Sequence, residues 1–220
     1  MESKYFSLPE ERNYEHGYKL AYKLASEQLL EIHEIAQHCQ KSGSQYEIID
    51  SQGTITLSYL NQTYQITLPD INISLLHSKD TIPFREKILM LHYFIQARGT
   101  ANTNKIIAFR ELPEGANYFP TFFKRAIKPL IEHFGKEPEK LLTAANKMSG
   151  NKAAYGDISV TINAFRYVPI TFVLWLGDEE LDPGGNILFD STITDYLSTE
   201  DINVLCETII WKLVKYLKNI

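Results

Sequence analysis

The stretch "ISVTINAFRYVPITFVLWL", residues 158–176, decides the fold class. "ISVTINAF" alternates apolar and polar side chains, the two-residue period of a strand. "RYVP" turns the chain. "ITFVLWL" is then nearly unbroken apolar sequence, which predicts an interior strand covered on both faces. Downstream, "GDEELDPGG" reads as a loop and "NILFD" as one more strand. Upstream, "YEII", "TITLSYL" and "TYQITL", separated by "DSQG" and "NQ", predict a half-buried antiparallel meander. Ile55, Leu57 and Tyr59 face one way there, Thr54, Thr56 and Ser58 the other, and Pro69 is expected to end it.

Between and around these strands the period changes to that of helices. Tyr18, Ala21, Tyr22, Ala25, Leu29, Ile32, Ile35, Ala36 and Cys39 recur at three- and four-residue steps, predicting one long helix over 13–41 that Gly43 stops. Residues 83–98 read as a helix apolar nearly all round, and hence central. Pro120 suits the first turn of a further helix, and Pro129 must kink or divide that helix. A short helix is expected over about 136–147. Ser198, with Asp201 three residues later, reads as the N-cap of a last helix whose stripe is Ile202, Leu205, Cys206, Ile209, Leu213 and Leu217. Antiparallel sheet elements packed with long amphipathic helices make an α+β fold, expected as a single domain over 1–220 with the N-terminal helix and meander (13–69) packed on the rest.

At 220 residues the chain is long enough to bury a core without staples. A net charge of −5 argues against a nucleic-acid partner. No segment approaches the ~20 apolar residues that span a bilayer, so no membrane partner is expected. "MESKYFSLPEERNYEHGYK" carries charges where a signal peptide needs an apolar run, so the expected location is cytoplasmic. Cys39 and Cys206 each fit the apolar face of a helix and read as buried free thiols. Two cysteines also exclude a four-cysteine iron–sulfur cluster held by this chain.

The sequence has no Gly-rich phosphate loop, no Gly-x-Ser-x-Gly elbow and no His-Glu-x-x-His pair. Three places remain where chemistry can sit. His92 shares the apolar face of the central helix, as a satisfied core histidine or as an axial ligand or donor to a buried cofactor. His33, His38 and His133 read as helix-surface groups. "IIAFRELPEGANYFPTFFKR", residues 106–125, surrounds two prolines with aromatic rings, cations and acids. Tyr118, Phe119, Phe122 and Phe123 offer flat surface, and Arg110 and Arg125 offer planar forks for a carboxylate or phosphate. Alternatively Arg110 pairs with Glu111 or Glu114, and the rings fill the core. Third, Asp178, Glu179, Glu180 and Asp182 follow the apolar strand, and Asp190 ends the next. They form a solvated turn, or else bind a hard cation or act as acid and base. Trp175 close before Asp178 places an indole and a carboxylate near one cleft.

"EKILMLHYFIQARGT", "FRELPEGANYFPTFFKR", "GDISVTINAF" and "FVLWLGDEELDPGGNILFD" together resemble an uncharacterised bacterial and archaeal family, domain of unknown function 3786, over roughly residues 80–210. The resemblance implies a link to anaerobic corrinoid or other tetrapyrrole metabolism, because some longer members resemble fusions with a small iron–sulfur domain. His92, Arg110, Glu111, Tyr118, Arg125, Trp175 and Asp178 stand inside the shared motifs. The functional expectation is a binding protein for a flat, partly anionic cofactor such as a corrinoid or haem. Tyr118, Phe119 and Trp175 would contact its face, Arg110 and Arg125 its carboxylates, and His92 its metal. The alternatives are an enzyme on a small anionic metabolite, with Asp178 or Glu179 as acid–base group or metal ligand, and a module that docks an iron–sulfur or corrinoid protein.

Overall fold

The computed structural model describes residues 11–217, so the signal-peptide reading of the first ten residues lies outside the described part. In chain order the elements are α1 (Glu11–Leu30), α2 (Ile35–Ser42), β1 (Gln45–Ile49), β2 (Gln52–Tyr59), β3 (Gln62–Leu68), β4 (Asn72–Leu75) and α3 (Phe84–Gln96). There follow β5 (Ile106–Ala108), α4 (Gly115–Phe122), α5 (Lys128–Phe134), α6 (Glu139–Asn146), β6 (Asn151–Lys152), β7 (Ile158–Phe165), β8 (Val168–Trp175), β9 (Gly184–Asp190) and α7 (Thr199–Leu217). The strands form two antiparallel sheets, ordered β1-β2-β3-β4 and β5-β9-β8-β7-β6. The fold is α+β.

Strand β8 lies inside its sheet, and every side chain from Ile170 to Leu174 is buried. That is the outcome expected of an unbroken apolar run. In β2, Ile55, Leu57 and Tyr59 point into the core; of the opposite face Ser58 is exposed and Thr56 half-buried, but Thr54, expected on the wet side, is buried. The two sheets meet at a bulge. The pairing of β7 with β8 slips between Asn163 and Phe165, and the freed Ala164 carbonyl accepts the Leu60 N–H from the end of β2. Tyr93 of α3 stacks on Phe165 at 4.1 Å, bringing the central helix onto the same junction.

Three local expectations are corrected. The meander has a fourth strand, because Pro69 sits in a turn where its missing N–H costs nothing, and Ile73 then pairs back on Ile66. The helix over 13–41 is broken at 31–34. Its apolar stripe continues on both sides, with Leu29 and Cys39 buried, so periodicity carried no sign of the break. A tightened turn, Ile32 N–H to Leu29 O, ends α1. Gly43, at φ 66°, then closes α2 in the left-handed conformation that a residue without Cβ adopts freely.

Pro120 falls in the last turn of α4, not at a helix start. Between α4 and α5 the backbone widens into a π turn, Phe123–Ile127, in which Lys128 N–H donates to Phe123 O. This turn directly precedes Pro129, whose ring cannot donate to the ladder, so the helix continues around the proline instead of dividing.

Candidate functional site

The stretch 106–125 is ordered from two sides. Phe109 and Phe122 are fully buried, whereas Tyr118 and Phe123 are exposed and Phe119 is half-buried. Gly115 allows the tight approach of this segment to itself: a Cβ there would stand 2.0 Å from the Phe109 carbonyl oxygen. Arg110 does not pair with Glu111 or Glu114. Its guanidinium lies over the Phe119 ring, 3.7 Å from the centroid. Glu111 turns back to accept the Ala108 N–H at 2.7 Å, and Glu114 accepts from the Asn117 side chain. Arg125 donates to Glu207 of α7 at 2.6 Å.

Trp175 and Asp178 stand elsewhere. Trp175 ends β8 opposite Gly184, with its indole exposed. Asp178 Oδ1 accepts the N–H groups of Glu180 and Leu181 at 2.8 Å each, and these hold its carboxyl below the ordinary value of 3.8. Glu179 and Glu180 are exposed on the same loop. This loop packs against the far end of α5, where Gly135 meets Pro183. Tyr118 lies near the start of that helical run, on the order of 20 Å away at 1.5 Å per residue. The hollow beside Asp178 is walled by Gly135, Lys136, Leu181 and Pro183, and no residue of 106–125 lines it.

A different cleft is built around His92. Tyr18 and Ala21 of α1, Arg85, Ile88, Leu89 and His92 of α3, Ser198, and Glu200, Asp201 and Val204 of α7 enclose a largely apolar space of about 240 Å³. His92 Nδ1 lies 2.7 Å from Asp201 Oδ1. Asp201 is itself fixed. Its Oδ2 accepts the Ser198 hydroxyl at 2.6 Å, while Ser198 Oγ accepts the Asp201 N–H at 3.1 Å. Asp201 Oδ2 also accepts the Ser198 backbone N–H at 3.4 Å, which with the Asp201 N–H bond makes a capping box at the start of α7, where the sequence predicts Ser198 as N-cap.

The Asp201 hydrogen bond raises the His92 pKa above 6.5, partial burial opposes it, and the charges of Asp201 and Glu200 add to the rise. For Asp201, burial pushes upward, but His92 and Ser198 together bring its pKa below 3.8. The result is an imidazole held in one orientation by a carboxylate, with no partner on Nε2 among the described residues. Such a group can give or take a proton at Nε2, bind an anion when charged, or ligate a metal when neutral. The Ser198 proton is directed at Asp201, not at the imidazole, so the trio is not a nucleophile-and-base arrangement.

The structure thus joins Arg110 to Phe119, and leaves Arg125, Trp175 and Asp178 in separate surroundings. It brings the 106–125 segment beside the His92 cleft where the Thr199 hydroxyl donates to Pro113 O at 2.6 Å, next to the α7 capping box. Asp201 and Arg85 were missed as site residues. The spacing of Arg85 and His92 on one helix face was legible, but the partner of His92 lies 109 residues away.

The remaining candidates are structural. Asp190 is pushed up by burial and brought below 3.8 by donors from Thr192, Thr103 and Asn104, which occupy both its oxygens. Cys39 and Cys206 are free and buried as expected, with burial raising the Cys39 thiol to about 11. Of the histidines read as surface groups, His33 is exposed and the other two are half-buried: His38 Nε2 donates to Phe94 O at 2.6 Å, and His133 packs edge-on to the exposed Trp211. Among the described residues no three His, Cys, Asp or Glu side chains cluster as a metal site, and no helix is long and apolar enough to cross a membrane.

The family model described as "Domain of unknown function (DUF3786)" matches residues 34–212. No curated protein and no solved structure matches the chain.

Proposed function

The chain belongs to the DUF3786 family, and for it we propose a binding role centred on the cleft of α1, α3 and α7, with His92 as the group that meets the polar end of a small ligand. The observation that carries the reading is the 2.7 Å bond from His92 to Asp201 at the wall of a largely apolar cleft. An orienting carboxylate on Nδ1 and an unpartnered Nε2 are what proton transfer or ligand capture requires. The test is to identify by mass spectrometry what the protein retains when purified natively, alongside Ala21→Trp, which fills the cleft from α1. One small molecule carried by the wild type and absent from the variant supports the proposal. Nothing retained, or equal retention in both, defeats it.

A second reading is favoured by the same bond: a carboxylate on the far nitrogen is also what orients a metal-ligating imidazole. In that case His92 approaches the metal of a corrinoid or haem. The cleft, at about 240 Å³, takes an edge of such a molecule and not its whole body. Titration with cobalamin and with haem, followed by absorption, separates the two readings. A spectral change that His92→Gln abolishes supports the tetrapyrrole, and none with either compound removes it.

A further inference from the structure

This inference rests on the reading of the α1–α3–α7 cleft as a ligand site. We infer that its ligand is a small monocarboxylic acid with an apolar body, whose carboxylate pairs with Arg85 and whose neutral, hydrogen-bonding far end meets His92. Positions 85 and 92 are i and i+7 on α3, which brings them to nearly the same face about two turns, or ~10 Å, apart. Ile88 and Leu89 form the floor between them, and Val204 of α7 faces that floor. The shape is a short apolar trough with one polar group at each end.

Charge decides what each end accepts. Arg85 makes no ion pair and no hydrogen bond among the described residues, and the neighbouring Glu86 pairs instead with Lys212 at 3.0 Å. It is a half-buried guanidinium without a counter-ion, on the wall of an apolar trough. The other end is different. His92 there faces two carboxylates, Asp201 in contact and Glu200 nearby, so that end stays net negative even with a charged imidazole. A dicarboxylate sets its second charge against Glu200, and a neutral alcohol leaves Arg85 without its counter-charge. A monocarboxylate with a hydroxyl or carbonyl at its far end satisfies both.

The experiment titrates the full chain with hexanoate, its ω-hydroxy derivative, adipate and hexanol, reading affinity by calorimetry and the His92 ring by NMR. The ω-hydroxy acid is expected to bind most tightly, a few-fold better than hexanoate, and both monocarboxylates about tenfold more tightly than hexanol or adipate. Arg85→Gln removes that preference while leaving hexanol unchanged, and Arg85→Lys keeps most of it. Hexanol binding as tightly as hexanoate, or a preference that survives Arg85→Gln, overturns the inference. Both of those outcomes still shift the His92 ring and leave the cleft reading standing. If none of the four compounds shifts the ring, the inference fails, and the retention test with Ala21→Trp judges the cleft reading on its own.

Discussion

Phe109 and Phe122 stack ring on ring, 3.8 Å between centroids and 7° from parallel, with both side chains fully buried. The twelve residues between them hold the tight turn at Gly115 and the exposed Tyr118. A loop of unusual aromatic content is thus fastened from beneath by two of its rings, and only the others remain for the surface.

That division sets the first expectation. Phe122→Ala leaves a cavity under Phe109 and Phe189, and should destabilise the protein by about 3–5 kcal/mol. Tyr118→Ala, on the same helix but exposed, should stay within about 0.5 kcal/mol. Urea unfolding of the two variants checks this, and equal losses would contradict the split.

The His92–Asp201 pair makes stability depend on pH with a determined sign. The folded pKa of His92 is raised, so its contribution is full below 6.5 and is lost as pH rises through the folded value. The folded pKa of Asp201 is lowered, so its contribution is present above 3.8 and is lost as pH falls through the folded value. The stability gap between wild type and His92→Gln is therefore expected to be widest between 3.8 and 6.5 and to narrow at higher pH. Denaturation midpoints measured across that range give the answer; a gap that widens with rising pH has the wrong sign.

Among the described residues Glu86 is the most buried carboxylate in an ion pair, with 5% of its side chain exposed, and Lys212 is its partner. Lys212→Met leaves that charge buried and unpaired, at a cost of about 3 kcal/mol. Adding Glu86→Gln should recover much of the loss, since the uncompensated charge disappears. Thermal unfolding of the single and double variants tests the pair, and a double variant no better than the single one would place the loss elsewhere.

Arg125 bonds Glu207 at the edge of the core, with 38% of the arginine and 17% of the glutamate side chain exposed. Solvent screens the arginine end but reaches the carboxylate less, so Arg125→Ala is expected to cost about 1–2 kcal/mol. Ligand retention by the His92 cleft should be unchanged. A variant that folds normally but no longer holds the ligand would move the site toward the 106–125 segment.

The strands around residues 158–176, the inward face of β2, the helix over 83–98 and the Ser198–Asp201 cap were all legible in the sequence. Each depends on a period or a spacing of a few residues. The break in the first helix was not legible, because the stripe from Leu29 to Cys39 runs on as if the helix did. The fourth strand of the meander was hidden for the opposite reason, since four residues after a proline carry too little pattern to announce a strand.

The site divides along the same line. His92 was legible as a polar group on an apolar face, and Asp201 as the cap of a distant helix, each from its own neighbours alone. That the two meet was decided only by tertiary packing, which seats the start of α7 on the exposed edge of α3. Alternation and helical stripes report which side of an element is buried, a local property that amino-acid types encode directly. Which buried side rests against which other depends on how the apolar faces of separate elements fill a shared core, and no short stretch of sequence contains that pairing.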